Sequence, residues 1–476
     1  RTTANIGELM PLILPGNVAS AIGGGYEVAN SCRFNNGSSD YLNKSVGGNS
    51  TLNTKGTWST WIKKSNTGSS KGPLFSGYAD ASNRVYLVIN SDAVVVFGKV
   101  GGTVRYTAQV DQNNRDPSAW MNIVVAIDTT QGTDTNRIKI YINGTIGTIG
   151  STNTPVYPVQ NSAIPYAATS SYNNLVGALY STSLSQYSDN YLAETVFIDG
   201  LALDATSFGE FDSDSPRIWK PIDVSGLTFG NNGFYLDYED SSNLGNDANG
   251  GTDFTVNNLT ATHQTTDTPT NNFCTLSPLF NLEGSYTLTE GNLKFLGTGG
   301  NDGTGSTFAV SSGRWYWECE FDIVANTGWA GFSTAENMAN LGTGNALSTM
   351  VGITYFGNSI NWDTSGTSGT ASDGDIYGFY LDLEASSGSW TLKIYQNGSS
   401  FATETIESAR EGEHFMPIVG DASSSDSGFN ANFGNPIVAL SSAVADANGY
   451  GSFEYNPTIG GVNYYALCTK NLAEFG

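Results

Sequence analysis

Charge is what this chain has least of. Only 13% of its 476 residues are charged, and 20 Lys and Arg stand against 44 Asp and Glu, for a net charge of −24. With no basic patch to neutralise phosphates, the charge argues against nucleic acid or an anionic membrane surface as a direct partner. Histidine is nearly missing: His263 and His414 are the only two. They leave no Ser/His/Asp set to assemble and too few ligands for a metallohydrolase. The four cysteines, Cys32, Cys274, Cys319 and Cys468, are far apart and form no Cys-x-x-Cys pair. Neither a zinc site nor a disulfide scaffold is expected, and Cys319, in a strand-like run, reads as a small core residue. No run approaches the ~20 apolar residues of a membrane span. No charged n-region with an apolar h-region opens the chain, so no secretory signal is expected. Helix formers are also too few for long helices.

What remains is Gly, Ser, Thr and Asn, with 57 glycines and 12% aromatics. Aromatic and β-branched runs between Gly/Asn turns predict an all-β protein, and the length predicts more than one domain. Residues 1–28 read as an extended arm with an apolar cluster (Leu9, Met10, Leu12, Ile13, Leu14) punctuated by two prolines, Pro11 and Pro15. Such an arm either packs on its own domain or docks into a partner or sister subunit. Residues 29–240 are strand after strand: "TWSTWIKKS", "RVYLVINS", "AVVVFGKV", "WMNIVVAID", "RIKIYINGTIG". Residues 241–280 are polar and turn-rich, a connector with at most a strand or two. The strand pattern resumes over 281–476, with "GRWYWECEFDIV", "GWAGFS", "IYGFYLDLE" and "WTLKIYQNG".

Two repeats compete for attention. "GFYLDYEDSS" (233–242) and "GFYLDLEASS" (378–387) agree at eight of ten positions, but their flanks differ. "NIVVAIDTTQGTDTNRIKIYING" (122–144) aligns without a gap with "IYGFYLDLEASSGSWTLKIYQNG" (376–398), pairing Asp128 with Asp382 and Asn143-Gly144 with Asn397-Gly398. Each is a strand, an acidic strand end, a polar loop and a second strand closed by Asn-Gly, the signature of a tight turn. The hairpin is therefore the informative repeat. It predicts two tandem antiparallel jelly-roll or β-sandwich domains.

Residues about 30–230 resemble the laminin G-like, concanavalin A-like jelly roll, through "CRFNNGSSDYL", "TWSTWIK", "PLFS", "WMNIVVAID", "IKIYING" and "YLAETVFIDGLAL" in that order. "FYLDYEDSSNLGNDANGGTDFTV" is similar to a segment that usually opens such domains, yet here it follows one; it either completes the sheet in permuted order or belongs to the connector. Residues about 290–470 resemble an SPRY (B30.2-like) domain, through "GRWYWECEF", "GWAGFS", "DGDIYGFYLDLEASSGSWTLKIYQNG", "FMPIV" and "NANFG". The close, "YNPTIGGVNYYALCTKNL", and the pairing of the two domains resemble virion proteins of tailed bacteriophages. This resemblance implies a structural or adhesive protein on the particle surface, assembled in the host cytoplasm with other virion proteins. It also implies a homo-oligomer, a trimer by analogy with phage appendages.

Candidate chemistry is sparse. In "WECEFD", Glu318 and Glu320 share a strand face, with Asp322 beyond; carboxyls two residues apart on a strand could flank a glycosidic bond. The competing reading makes this strand a core edge, with Trp315 and Trp317 on the opposite face. The turns "NDANGGTD" (246–253) and "DANG" (446–449) are oxygen-rich and are the candidate calcium loops, though neither has EF-hand spacing. No cofactor is otherwise expected. Glycan binding needs flat rings for the sugar's CH groups and amides or carboxylates for its hydroxyls. Candidates are Tyr355, Asn358, Trp362 and Asp363 in one segment, and Tyr172, Tyr180 and Tyr187 in another. The preferred expectation is a non-enzymatic adhesin, of tail-fibre or receptor-binding type, that binds host surface glycans. The alternatives are a capsid decoration or head-fibre protein and, third, a polysaccharide depolymerase acting through Glu318 or Glu320.

Overall fold

The computed structural model describes residues 25–66, 72–150, 154–164, 172–280, 286–297, 300, 302–324, 327–334, 350–356, 359–362, 368–386, 388–421 and 426–476, without the side chains of 356, 359–362 and 368. The arm residues Leu9, Met10, Leu12, Ile13 and Leu14 lie outside the described residues. The chain divides into two compact units that meet between Thr270 and Asn271. Both are antiparallel β-sandwiches, and the one α-helix among the described residues is the short Thr469–Phe475.

The first domain packs two sheets face to face. One carries strands in the order 145–146, 138–142, 120–128, 55–64, 190–199, 31–34, 264–265, with 234–236 also paired to 190–199. The other runs 255–257, 41–45, 173–176, 72–80, 83–90, 93–100, 103–109. Alternation drives one face of each strand inward. Leu42, Trp58, Phe75, Val125, Val176, Phe197 and Phe234 meet between the sheets. A second cluster, including Trp61, Phe208, Trp219 and Phe229, covers the outer face of the first sheet.

The second domain repeats the plan. An eight-stranded sheet orders 286–289, 294–297, 428–432, 314–323, 375–382, 391–396, 399–405, with 465–466 added in parallel to 314–323. It faces a six-stranded sheet ordered 302–305, 415–421, 327–334, 351–356, 359–362, 368–370. Trp315, Trp317, Cys319 and Phe321 point into the core between them. All four cysteines are free and buried.

The hairpin repeat is also a repeat in three dimensions. Asn143 and Asn397 have φ of 48° and 49°, and Gly144 and Gly398 have φ of 74° and 75°. Positive φ at both central residues is the type I′ pattern that matches strand twist. The Asn143 carboxamide oxygen accepts from the Asn122 N–H at 2.8 Å, as that of Asn397 accepts from Ile376 at 2.9 Å. At the other end, Asp128 and Asp382 each face a cation across the ladder, Lys55 at 3.5 Å and Arg314 at 3.1 Å. Three residues on from each cation stands a core tryptophan, Trp58 or Trp317. By contrast, the second "GFYLD" lies within the strand 375–382, whereas the first forms only the short strand 234–236 and then turns at Tyr238, φ 60°.

Residues 241–280, read as a connector, are shared between the domains. Leu244, Phe254 and Leu259 join the first core, and Cys274 and Leu276 the second. The segment after residue 233 completes both sheets of the first domain: 234–236 pairs with 195–197 and 255–257 with 41–43. Its polarity misled because its few apolar residues are the buried ones, while its Asp, Asn and Thr side chains tie the turns.

Candidate functional site

The outer face of the seven-stranded sheet in the first domain is aromatic. Because Leu42 points inward, Tyr41 points outward; because Phe75 and Gly77 point inward, Ser76 and Tyr78 point outward. After the strand 173–176 the chain turns at Gly177, φ 80°, where a Cβ would stand 2.5 Å from the Phe34 ring. This turn sends a hairpin, 178–180 and 184–187, back beside the sheet. Tyr180 thereby stacks on Tyr78, with centroids 3.9 Å apart and planes 6° apart. Tyr187 meets Tyr41 at 5.9 Å. Burial, then the neighbouring hydroxyls of Tyr180 and Tyr41, raise the pKa of Tyr78. The face continues through Tyr86, stacked on Phe97 at 4.6 Å, with the Arg84 guanidinium over Phe97. All six rings are half-buried, so each keeps exposed surface. Polar groups lie among them: Asn173, opposite both Tyr78 and Ser45, accepts a hydrogen bond from the Ser45 hydroxyl at 2.9 Å. Rings beside amides and hydroxyls form a surface that can cover the apolar face of a sugar while bonding its hydroxyls.

The sequence candidates divide accordingly. Tyr180 and Tyr187 are in this face. Tyr172 is 7% exposed and offers little surface. Tyr355 is a correction: it is fully buried against Phe321 and Phe429, because the strand 351–356 turns that side inward. The side chains of Asn358, Trp362 and Asp363 lie outside the described residues. Tyr41, Tyr78, Tyr86 and Phe97 were not singled out from sequence. Their signal was there, as aromatic residues alternating with core positions in "SDYLNKS", "FSGYAD" and "RVYLV".

Glu318 and Glu320 do share the face opposite Trp315 and Trp317, but they are differently employed. The Glu318 carboxylate is 2% exposed. It accepts four hydrogen bonds, from the Tyr316 hydroxyl (2.7 Å), the Asn432 amide (3.0 Å) and the N–H groups of Glu454 (3.0 Å) and Tyr455 (2.8 Å). Burial raises its pKa and those bonds oppose the rise. Glu320 accepts from Asn430 at 2.9 Å. The cavity both acids line, beside Ile437 and Glu454, has a volume of about 20 Å³, room for a water rather than a sugar. Glu318 thus anchors the 454–455 segment to the sheet.

The acidic turns are likewise occupied by the protein itself. Asp247 binds the Lys44 ammonium at 2.9 Å and the Tyr235 N–H at 3.0 Å. Asp446 accepts from Asn448, Tyr450, Ala466 and Asn471. Among the described residues no group of three or more His, Cys, Asp or Glu side chains could hold a metal ion. His263 pairs with Asp40 at 3.2 Å and caps a 3₁₀ turn through Thr260.

No family model and no curated protein matches the sequence. Solved structures do. A putative carbohydrate binding protein from Bacteroides ovatus is similar at 15% identity and a TM-score of 0.32, over 49% of this chain and 59% of that one. The SPRY domain of human HERC1 is similar at 15% identity and 0.25, over 33% of this chain and 96% of its own. The mouse laminin α1 domains LG4-5 are similar at 11% identity and 0.29, over 85% of each chain.

Proposed function

We propose that this protein is a non-enzymatic adhesin that binds surface glycans through the aromatic outer face of its first domain. The observation that carries the reading is the set of six partly exposed rings, Tyr41, Tyr78, Tyr86, Phe97, Tyr180 and Tyr187, interleaved with Asn173 and Ser45. A soluble sandwich could cover such a face with polar residues; rings kept at the surface are suited to a partner that is apolar on one side and hydroxylated at its edges. Each contact would be weak, and many copies would supply avidity. The mounting on a tailed-phage particle, the trimer and the host-cell target rest on the sequence resemblances alone.

A glycan array probed with the wild-type chain and with Tyr78→Ala/Tyr180→Ala tests the reading. Saturable binding that a free glycan competes away, and that the double variant loses, is the expected result. A wild-type protein that binds no glycan while remaining folded would overturn it and favour the decoration reading. Loss of polymer from the arrayed glycans would favour the depolymerase.

A further inference from the structure

At one end of the first sandwich, the inner faces stop being apolar. Two residues beyond the core residue Leu42 comes Lys44, and two residues before the core residue Val176 comes Asn174; the two stand directly opposite each other in the ladder. Lys44 is neutralised by Asp247 and lies over the rings of Phe234 and Phe254. Asn174 is 2% exposed, and its side-chain oxygen has no hydrogen-bond partner. It lines a cleft of about 520 Å³, walled by three loops, Val46–Asn49, Gly230–Gly233 and Asn249–Thr252. That volume is within the roughly 300–1,000 Å³ range of small-molecule sites.

The wall chemistry narrows the ligand. It consists of glycine backbone and the amides of Asn49, Asn231 and Asn249, with no aromatic ring, and its one cation is already paired. Amides and peptide groups offer donors and acceptors in close alternation. An apolar ligand would strand them, and an ionic ligand would find no free counter-charge. We infer that this cleft is a second binding site, separate from the aromatic face, for a neutral polyhydroxylated ring: a free monosaccharide or the terminal sugar of a glycan chain.

The glycines supply the test. A Cβ at Gly48 meets no atom within 4 Å, and its φ is not in the left-handed region, so Gly48→Trp can fill the cleft without straining the fold. Saturation-transfer NMR on the full chain would use free glucose, galactose, mannose and N-acetylglucosamine, each at millimolar concentration. The expected result is transfer to at least one sugar, weakened about tenfold or more by Gly48→Trp and by Asn174→Leu. The measurement is made in a Tyr78→Ala/Tyr180→Ala background, so that transfer through the aromatic face does not contribute. Transfer to none of the four, or transfer that survives Gly48→Trp, would overturn the inference. Transfer seen with the wild type but absent from the Tyr78→Ala/Tyr180→Ala background would overturn it too, while supporting the aromatic face. Failure on the array with retained transfer here would sink the proposed function and leave this site standing.

Discussion

The two domains use the same hairpin, the same Asp–cation pair and the same core tryptophan, yet an outward tyrosine is covered on some of their sheets and partly exposed on another. In the second domain, Tyr316 and Tyr380 leave the eight-stranded sheet on its outer side and are at most 1% exposed. Phe453, Tyr464, Ala466 and Cys468 pack over them. In the first domain Tyr191 and Tyr235, outward on the eight-stranded sheet, are likewise at most 5% exposed, whereas Tyr41 and Tyr78 of the seven-stranded sheet, with Tyr187 and Tyr180 of the neighbouring hairpin against them, keep part of their surface exposed. An outward ring in a sandwich is thus core or surface according to whether another segment of chain lies over it. The same lesson applies to acids: Glu318 and Glu320 are two residues apart, but only Glu318 lies beneath the 454–455 segment.

That contrast can be broken first at its largest effect. Tyr316→Ala should destabilise the second domain by about 3–5 kcal/mol, as removal of a fully buried ring does. Tyr180→Ala should cost the first domain less, about 1–2 kcal/mol, since its ring keeps part of its surface in water. Hydrogen exchange, read domain by domain in the intact chain, measures both. Equal losses would erase the distinction. Next, Glu318→Ala strands donors that its carboxylate now satisfies and should cost on the order of 3 kcal/mol, against about 1 kcal/mol for Glu320→Ala. Urea unfolding of each variant decides.

A third test concerns a buried acid of the first domain. Glu194 stands at a β-bulge with φ 48° and is 4% exposed, hydrogen-bonded by the Tyr235 and Tyr26 hydroxyls. Burial, only partly offset by those bonds, raises its pKa to about 7 from an ordinary 4.5. A carboxyl whose folded pKa is raised contributes fully below its unfolded pKa. The contribution is lost as pH rises through the folded value. First-domain stability should therefore fall between about pH 4.5 and pH 7, by on the order of 3 kcal/mol, then level off. Glu194→Gln should flatten that slope, and a slope unchanged in the variant would assign it elsewhere. The smallest effect sharpens the likeness instead. Asn143→Ala and Asn397→Ala should each cost about 1–2 kcal/mol in their own domain, because both give up a left-handed turn residue and an accepted hydrogen bond. Thermal unfolding with unequal shifts would mean that the two turns are not equivalent.

Much of the fold was legible because its causes are local. Period-two runs mark the strands and Asn-Gly marks the turns. The 122–144 and 376–398 hairpins could be paired by eye. The site was legible only in part. Tyr180 and Tyr187 were found as ring-bearing residues of a polar loop, but Tyr355, chosen on the same grounds, is core. Tyr41 and Tyr78 passed unnoticed because a strand tyrosine is ordinarily packing. The cleft was invisible, since its residues come from 44–49, 174, 230–233 and 249–252, and the last of these lay in a stretch too polar to suggest a wall.

What the sequence by itself determined was the all-β class, the twin hairpins and the scarcity of histidine and cysteine side chains. Each depends on residue type, spacing or count. What only the tertiary structure decided was which outward rings stay at the surface, which carboxylates are already bonded, and where three distant loops enclose space. Those are properties of what lies opposite a residue, and burial is set by segments hundreds of positions away.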